Sequence, residues 1–103
     1  MTEEIQRESL DVDVLFVGAG SASLAGAIRL GQLARDNPGA FDEPLSIAVI
    51  EKGSEVGAHV LSGAVMKPMA LDELFGGAEW RESAPTGPVV ERETVTFLAN
   101  SQR

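Results

Sequence analysis

Val12-Asp13-Val14-Leu15-Phe16-Val17-Gly18-Ala19-Gly20-Ser21-Ala22-Ser23 begins as a short apolar run and closes on a glycine turn. The run is rich in β-branched residues, broken only by Asp13 and stopped by Gly18. It reads as a strand buried on both faces, as in a parallel sheet. From about Ala22 to Arg35 the apolar spacing changes to threes and fours, through Leu24, Ala27, Ile28, Gly31 and Ala34. Arg29, Gln32 and Asp36 form a narrow polar stripe opposite, so this stretch predicts a helix covered over most of its surface. Gly26 and Gly31 each cost about 1 kcal/mol inside a helix. A helix tolerates that where it must lie close to a neighbouring backbone. Asp36-Asn37-Pro38-Gly39 ends the helix, and Leu45 to Ile50 is a second apolar, β-branched run ending at Glu51. Strand, glycine turn, helix and strand make one βαβ unit.

Outward from that unit the pattern loosens. Met1 to Asp11 is an acidic tail, with four acids and one base. Gly53 to Gly63 is rich in small residues and reads as an extended loop. Pro68 begins a short helix with Leu71, Leu74 and Phe75 on one side and Asp72 and Glu73 on the other; Gly76-Gly77 stops it. Pro85-Thr86-Gly87-Pro88 reads as a turn, and Thr94 to Phe97 alternates as a half-buried strand would. Two strands buried on both faces need helices above and below them, yet one right-handed crossover supplies a helix to one face only. The expectation is therefore an α/β chain that begins a larger parallel-sheet domain, with residues 12–103 as its incomplete amino-terminal part.

Composition narrows the function classes. The 103 residues carry 16 acids, 8 bases, one His and no Cys, for a net charge of −8. No basic stripe offers itself to a phosphate backbone, so nucleic acid is not an expected partner. Without cysteine there is no disulfide framework, thiolate zinc site or cysteine-ligated iron–sulfur cluster in this chain. No apolar run approaches the ~20 residues of a membrane-spanning helix. The acidic start fits neither a secretory signal nor a transit peptide, which leaves the cytoplasm of a bacterium as the simplest expected compartment.

The glycine turn carries the chemistry. Gly18-Ala19-Gly20-Ser21-Ala22-Ser23 matches Gly-x-Gly-x-x-Gly except at its last position, where Ser23 stands. In that fingerprint the first Gly makes the strand-to-helix turn and the second admits the backbone to a pyrophosphate. The third lets helix and strand pack closely. The helix N-terminus adds unpaired N–H groups and the positive end of its dipole. Glu51 answers from the end of the second strand, 33 residues after Gly18, against a usual interval of ~20; the Asp36 to Glu43 insertion accounts for the excess. A carboxylate there accepts both hydroxyls of an adenosine ribose. The context of strand, turn, helix and acid sets it apart from a bare glycine turn with a surface Glu. Turn and acid together read the adenosine diphosphate that FAD and NAD share, and do not choose between them.

The segment Val12 to Gly20 resembles the FAD-binding start of electron transfer flavoprotein–ubiquinone oxidoreductase. More specific to that family is Glu51-Lys52-Gly53-Ser54-Glu55-Val56-Gly57-Ala58-His59, with Leu61-Ser62-Gly63-Ala64 after it. The short helix, Trp80, Ala84-Pro85 and Pro88-Val89 follow in the family's order. The resemblance implies a Rossmann-like FAD domain in an oxidoreductase that takes electrons from electron transfer flavoprotein and passes them to ubiquinone. It also implies a 4Fe-4S cluster whose ligands are outside this chain, and a peripheral place on the inner face of the bacterial cell membrane. Ser21 and Ser23 stand where the family's turn carries Pro and Gly; the first change removes rigidity and the second touches packing beneath the pyrophosphate.

On this reading the cofactor-binding residues are Gly18, Ala19, Gly20, Ser21, Ala22 and Ser23 at the turn, then Glu51, Lys52, His59, Ser62 and Gly63. His59 could approach the ribityl or phosphate region of the flavin, although a lone His is more often structural. Lys52 could contact the adenine side or be solvated; Ser62 and Gly63 could admit backbone to the cofactor or simply form a turn. None of these residues is expected to be catalytic, and no Ser/His/Asp triad can be assembled around a single His. Met66, Met69, Phe75 and Trp80 read as packing residues, and Glu91, Arg92 and Glu93 as a solvated face. Two other readings stay open: a fragment of a related FAD-dependent reductase or monooxygenase, and a catalytically silent dinucleotide-binding remnant.

Overall fold

The computed structural model describes residues 3–61 and 63–100. These fall into two compact units, one before residue 62 and one from Gly63 onward. In the first unit, β1 (Val14–Val17) leads through the glycine turn into α1 (Ser21–Asp36) and on to β2 (Ile47–Ile50). The strands pair in parallel, Val14 opposite Ile47 and Val17 opposite Ile50. This is the βαβ opening of a Rossmann-like α/β fold, with a two-stranded sheet.

Both ends of the pair are tied. At the entrance the Asp13 N–H donates to Ser46 Oγ at 3.0 Å. Asp13 Oδ2 accepts from the Ser46 N–H at 2.8 Å and from its hydroxyl at 3.0 Å. At the exit the Gly18 N–H donates to the Ile50 carbonyl at 2.7 Å, one residue beyond β1. The helix ends as the Asn37 side chain and backbone N–H both donate to the Leu33 carbonyl, at 2.8 and 3.0 Å.

The sheet is covered on one face, not two. Val14 and Phe16 are half-buried towards α1, and Gly26 of α1 lies against the Phe16 ring; a Cβ on Gly26 would fall 2.9 Å from Phe16 Cε1. The opposite side chains are open, Leu15 at 49 %, Val17 at 76 % and Ile50 at 50 % exposure. The strands read as suited to burial on both faces, and the one crossover helix covers one of them, as the count of elements implied. β-branched, apolar composition records what a strand suits, whereas a single crossover helix shields only the side it crosses.

In the second unit α2 (Met69–Phe75) is followed by a single helical turn, α3 (Trp80–Ser83). Gly76, at φ +70°, ends α2 in the left-handed region, and the Gly77 N–H returns to the Asp72 carbonyl at 2.8 Å. Asp72 then joins the two helices. Its carboxylate accepts from Trp80 Nε1–H at 2.8 Å and from Arg81 Nη2–H at 2.6 Å, and the Arg81 guanidinium lies 5.8 Å from the Trp80 ring centroid. The Thr86 N–H reaches back to the Ala84 carbonyl at 2.8 Å, so the chain turns about Pro85, slightly earlier than expected. Thr94 to Phe97 is not a strand: it is irregular and exposed. Alternation suits a half-buried sheet edge, but a strand exists only with a ladder partner, and among the described residues β1 and β2 pair only with each other. No helix among those residues is long and apolar enough to cross a membrane.

Candidate functional site

Parallel pairing in this register delivers residues 18 and 51 side by side at the carboxyl ends of their strands, where open α/β sheets bind ligands. The glycine turn crosses that end. Gly18 holds φ +97°, which a side chain would strain. A Cβ on Gly18 or on Gly20 would meet nothing within 4 Å, so the surface above both glycines is open. Ala19, between them, is turned inward at 5 % exposure.

The Ala19 N–H donates to Glu51 Oε1 at 3.1 Å. The second oxygen, Oε2, accepts from the Gly53 N–H. One carboxylate therefore bridges the glycine turn, the end of β2 and the first bend beyond it. The Gly53 N–H, and after it the Ala19 N–H, hold the Glu51 carboxyl below its ordinary range, and the His59 imidazole adds a smaller pull in the same direction. Ionised carboxylate oxygens offer about four acceptor sites between them, so two backbone donors leave capacity for two hydroxyls.

The other half of the site is the start of α1. Its cap, Gly20, is extended, with no side-chain cap and no acid in the first turn. The Leu24 N–H makes the first intrahelical bond, to the Gly20 carbonyl at 3.0 Å. The N–H groups of Ser21, Ala22 and Ser23 precede that ladder and, with the positive end of the helix dipole, favour an anion. Open space over the two glycines, three helix-end donors and a held carboxylate fit the diphosphate and ribose of an adenine dinucleotide.

Of the expected site residues, the fold brings together Gly18 to Ser23, Glu51 and His59. Lys52 is exposed beside Glu51. Gly63 belongs to the second unit, with φ +86° and open space around it, and Ser62 lies outside the described residues. Of the two glycines inside α1, Gly26 lies against the Phe16 ring of β1 and Gly31 has open space around it. Gly53 was missed as a functional residue. A Cβ there would crowd Glu51 Oε2, Ala58 and His59 at 3.0 to 3.1 Å. Its signal was available, a glycine two residues after a strand-ending acid. Among the described residues no cluster suited to a metal ion occurs.

Comparison with known proteins bears on the family. A probable electron transfer flavoprotein-ubiquinone oxidoreductase of Acinetobacter baylyi is 46 % identical over 101 residues, covering 96 % of this chain. Over that segment the chain is homologous to electron transfer flavoprotein–ubiquinone oxidoreductases. The mitochondrial oxidoreductase of Arabidopsis thaliana is 50 % identical over 103 residues, 99 % of the chain. That of Oryza sativa is 59 % identical over 76 residues, 74 % of the chain. The chain spans 17 %, 15 % and 12 % of these three relatives, respectively. No family model and no solved structure matches it.

Proposed function

We propose that this chain forms the adenosine diphosphate-binding part of an FAD site in an oxidoreductase that moves electrons from electron transfer flavoprotein to ubiquinone. The observation that carries the reading is the bond from the Ala19 N–H to the Glu51 carboxylate, which fastens a Gly-x-Gly turn to the acid of the neighbouring strand. The names of the relatives supply the flavoprotein donor and the quinone acceptor. Backbone N–H groups of Ser21, Ala22 and Ser23 would hold the diphosphate, and Gly18 and Gly20 would let it approach. Glu51 would take the ribose hydroxyls, and its charge would repel a 2′-phosphate. His59 and Lys52 would lie along the same cofactor, with residues 12–103 as one part of its domain. Bound FAD supplies the redox chemistry; these residues bind and orient it. Ubiquinone is lipid-soluble, so the working site belongs at a membrane surface.

Retention of flavin tests the reading. Purified chain mixed with FAD and desalted should keep a yellow, bound species, and Glu51→Ala should lose it. Chain that keeps no flavin would instead support a silent remnant of a dinucleotide fold.

A further inference from the structure

The two apolar runs that form the sheet carry one polar side chain each. Val12 to Val17 holds Asp13, and Leu45 to Ile50 holds Ser46. Pairing of Val14 with Ile47 sets these two residues opposite each other, just before the strands begin. Hydrogen bonds join them in both directions. The Asp13 N–H donates to Ser46 Oγ at 3.0 Å and to the Ser46 carbonyl at 3.1 Å. Asp13 Oδ2 accepts from the Ser46 N–H at 2.8 Å and from its hydroxyl at 3.0 Å.

The remaining pairs say little about register. Val14 and Phe16 with their partners Ile47 and Val49 make one face of the sheet, and Leu15 and Val17 with Ala48 and Ile50 make the other. A one-residue slip exchanges the faces of a strand, which is costly where one face is polar; here both are apolar. What such a slip changes is the polar pair, since it sets Asp13 and Ser46 each opposite an apolar residue. We propose that Asp13, through Ser46, fixes the parallel register of β1 and β2 and thereby places Glu51 at the glycine turn, which makes Asp13 a positioning residue at the opposite end of the sheet from the site. Setting register is the best-attested use of a lone polar pair in an apolar interface. A slip carries the end of β2 about 3.3 Å along its neighbour. The Gly18 N–H would lose the Ile50 carbonyl, now at 2.7 Å, and the Ala19 N–H would lose Glu51 Oε1, now at 3.1 Å. The consequence for the cofactor rests on the FAD-site reading above; the register does not.

Cross-strand NMR contacts in the ligand-free 103-residue chain test the register. The native chain should show one set, Val14 with Ile47 and Val17 with Ile50, and its Ala19 amide should follow the Glu51 carboxyl titration. Asp13→Val puts a β-branched residue in the run. It should keep the chemical shifts of extended backbone, yet show more than one pairing and an Ala19 amide that no longer follows Glu51. Asp13→Asn retains an acceptor oxygen for Ser46 and should restore the single pairing. Equal pairing in the two variants, native or mixed, overturns the proposal. Loss of both strands in Asp13→Val overturns it too, because Asp13 then acts on stability and not on register. FAD binding is scored separately. Asp13→Val should bind about tenfold more weakly than the native chain, the worth of one hydrogen bond to a charged group; equal affinity overturns the link from register to site. If the native chain binds no FAD, that reading fails, and the NMR contacts still decide the register.

Discussion

At the residue scale, Glu51 acts twice, as the expected ribose acceptor and as the clasp of the glycine turn. The clasp has a defined pH dependence. Its carboxyl is lowered in the folded chain, chiefly by the Gly53 N–H and next by the Ala19 N–H. The group therefore contributes its full stabilisation above the ordinary value of 4.5 and loses it as pH falls through the lower folded value. The amide resonances of Ala19 and Gly53 should move together through that acid range, and Glu51→Gln should remove the shared transition. If the two amides titrate separately, one carboxylate does not bridge them. A Gly53→Ala change would press a methyl group against Glu51, Ala58 and His59 at once. It should weaken FAD binding at least tenfold with helix content unchanged, which calorimetry and circular dichroism would check together.

At the scale of elements, two glycines of α1 have opposite roles. Gly31 has open space around a Cβ, whereas Gly26 meets Phe16 at 2.9 Å. Gly31→Ala should stabilise by about 1 kcal/mol through helix propensity. Gly26→Ala gains the same propensity but incurs an overpacking cost of about 1–3 kcal/mol. Thermal melts followed by circular dichroism should rank Gly31→Ala above the native chain and Gly26→Ala below it. The strand pair has a graded counterpart. Ser46→Ala keeps the backbone bond to Asp13 Oδ2 but loses both hydroxyl bonds, while Asp13→Ala loses both bonds to the carboxylate. Strand-pair amides should exchange faster in both, and faster in Asp13→Ala, which also leaves the Ser46 N–H without its charged acceptor.

These elements also mark how far sequence reading reaches. β1, α1, β2 and α2 follow from local signals: a β-branched run, a change of period, and glycines at the stops. The Thr94 to Phe97 pattern has the same local quality, yet its strand does not form, because pairing is a property of two segments and alternation a property of one. α3 is the converse. Four residues carry too little periodicity to read, and Asp72 holds them through Trp80 and Arg81. The turn and its acid were legible in the same way, as residues at a known spacing. The roles of Gly26 and Gly53 were not, since each depends on what the folded chain sets opposite a missing Cβ.

At the scale of the whole molecule, apolar cover is scarce. Among the described residues Ala19 is the one buried apolar residue. Leu15, Val17 and Ile50 form an uncovered face on the sheet. Val17→Thr combined with Ile50→Thr should therefore lower the fluorescence of a bound apolar dye without lowering the melting temperature. A lower melting temperature would show that the face is packed.

The sequence by itself determined the βαβ order of the first unit, the short helix after it, the Gly-x-Gly turn and the acid that answers it. Each of these is a short-range choice of backbone conformation, chemistry and spacing. Only the tertiary structure decided that Glu51 clasps Ala19 and Gly53 and that helix meets strand at Gly26. Those outcomes depend on parallel register, which sets the end of β2 beside the glycine turn, and on how the crossover helix lies against β1.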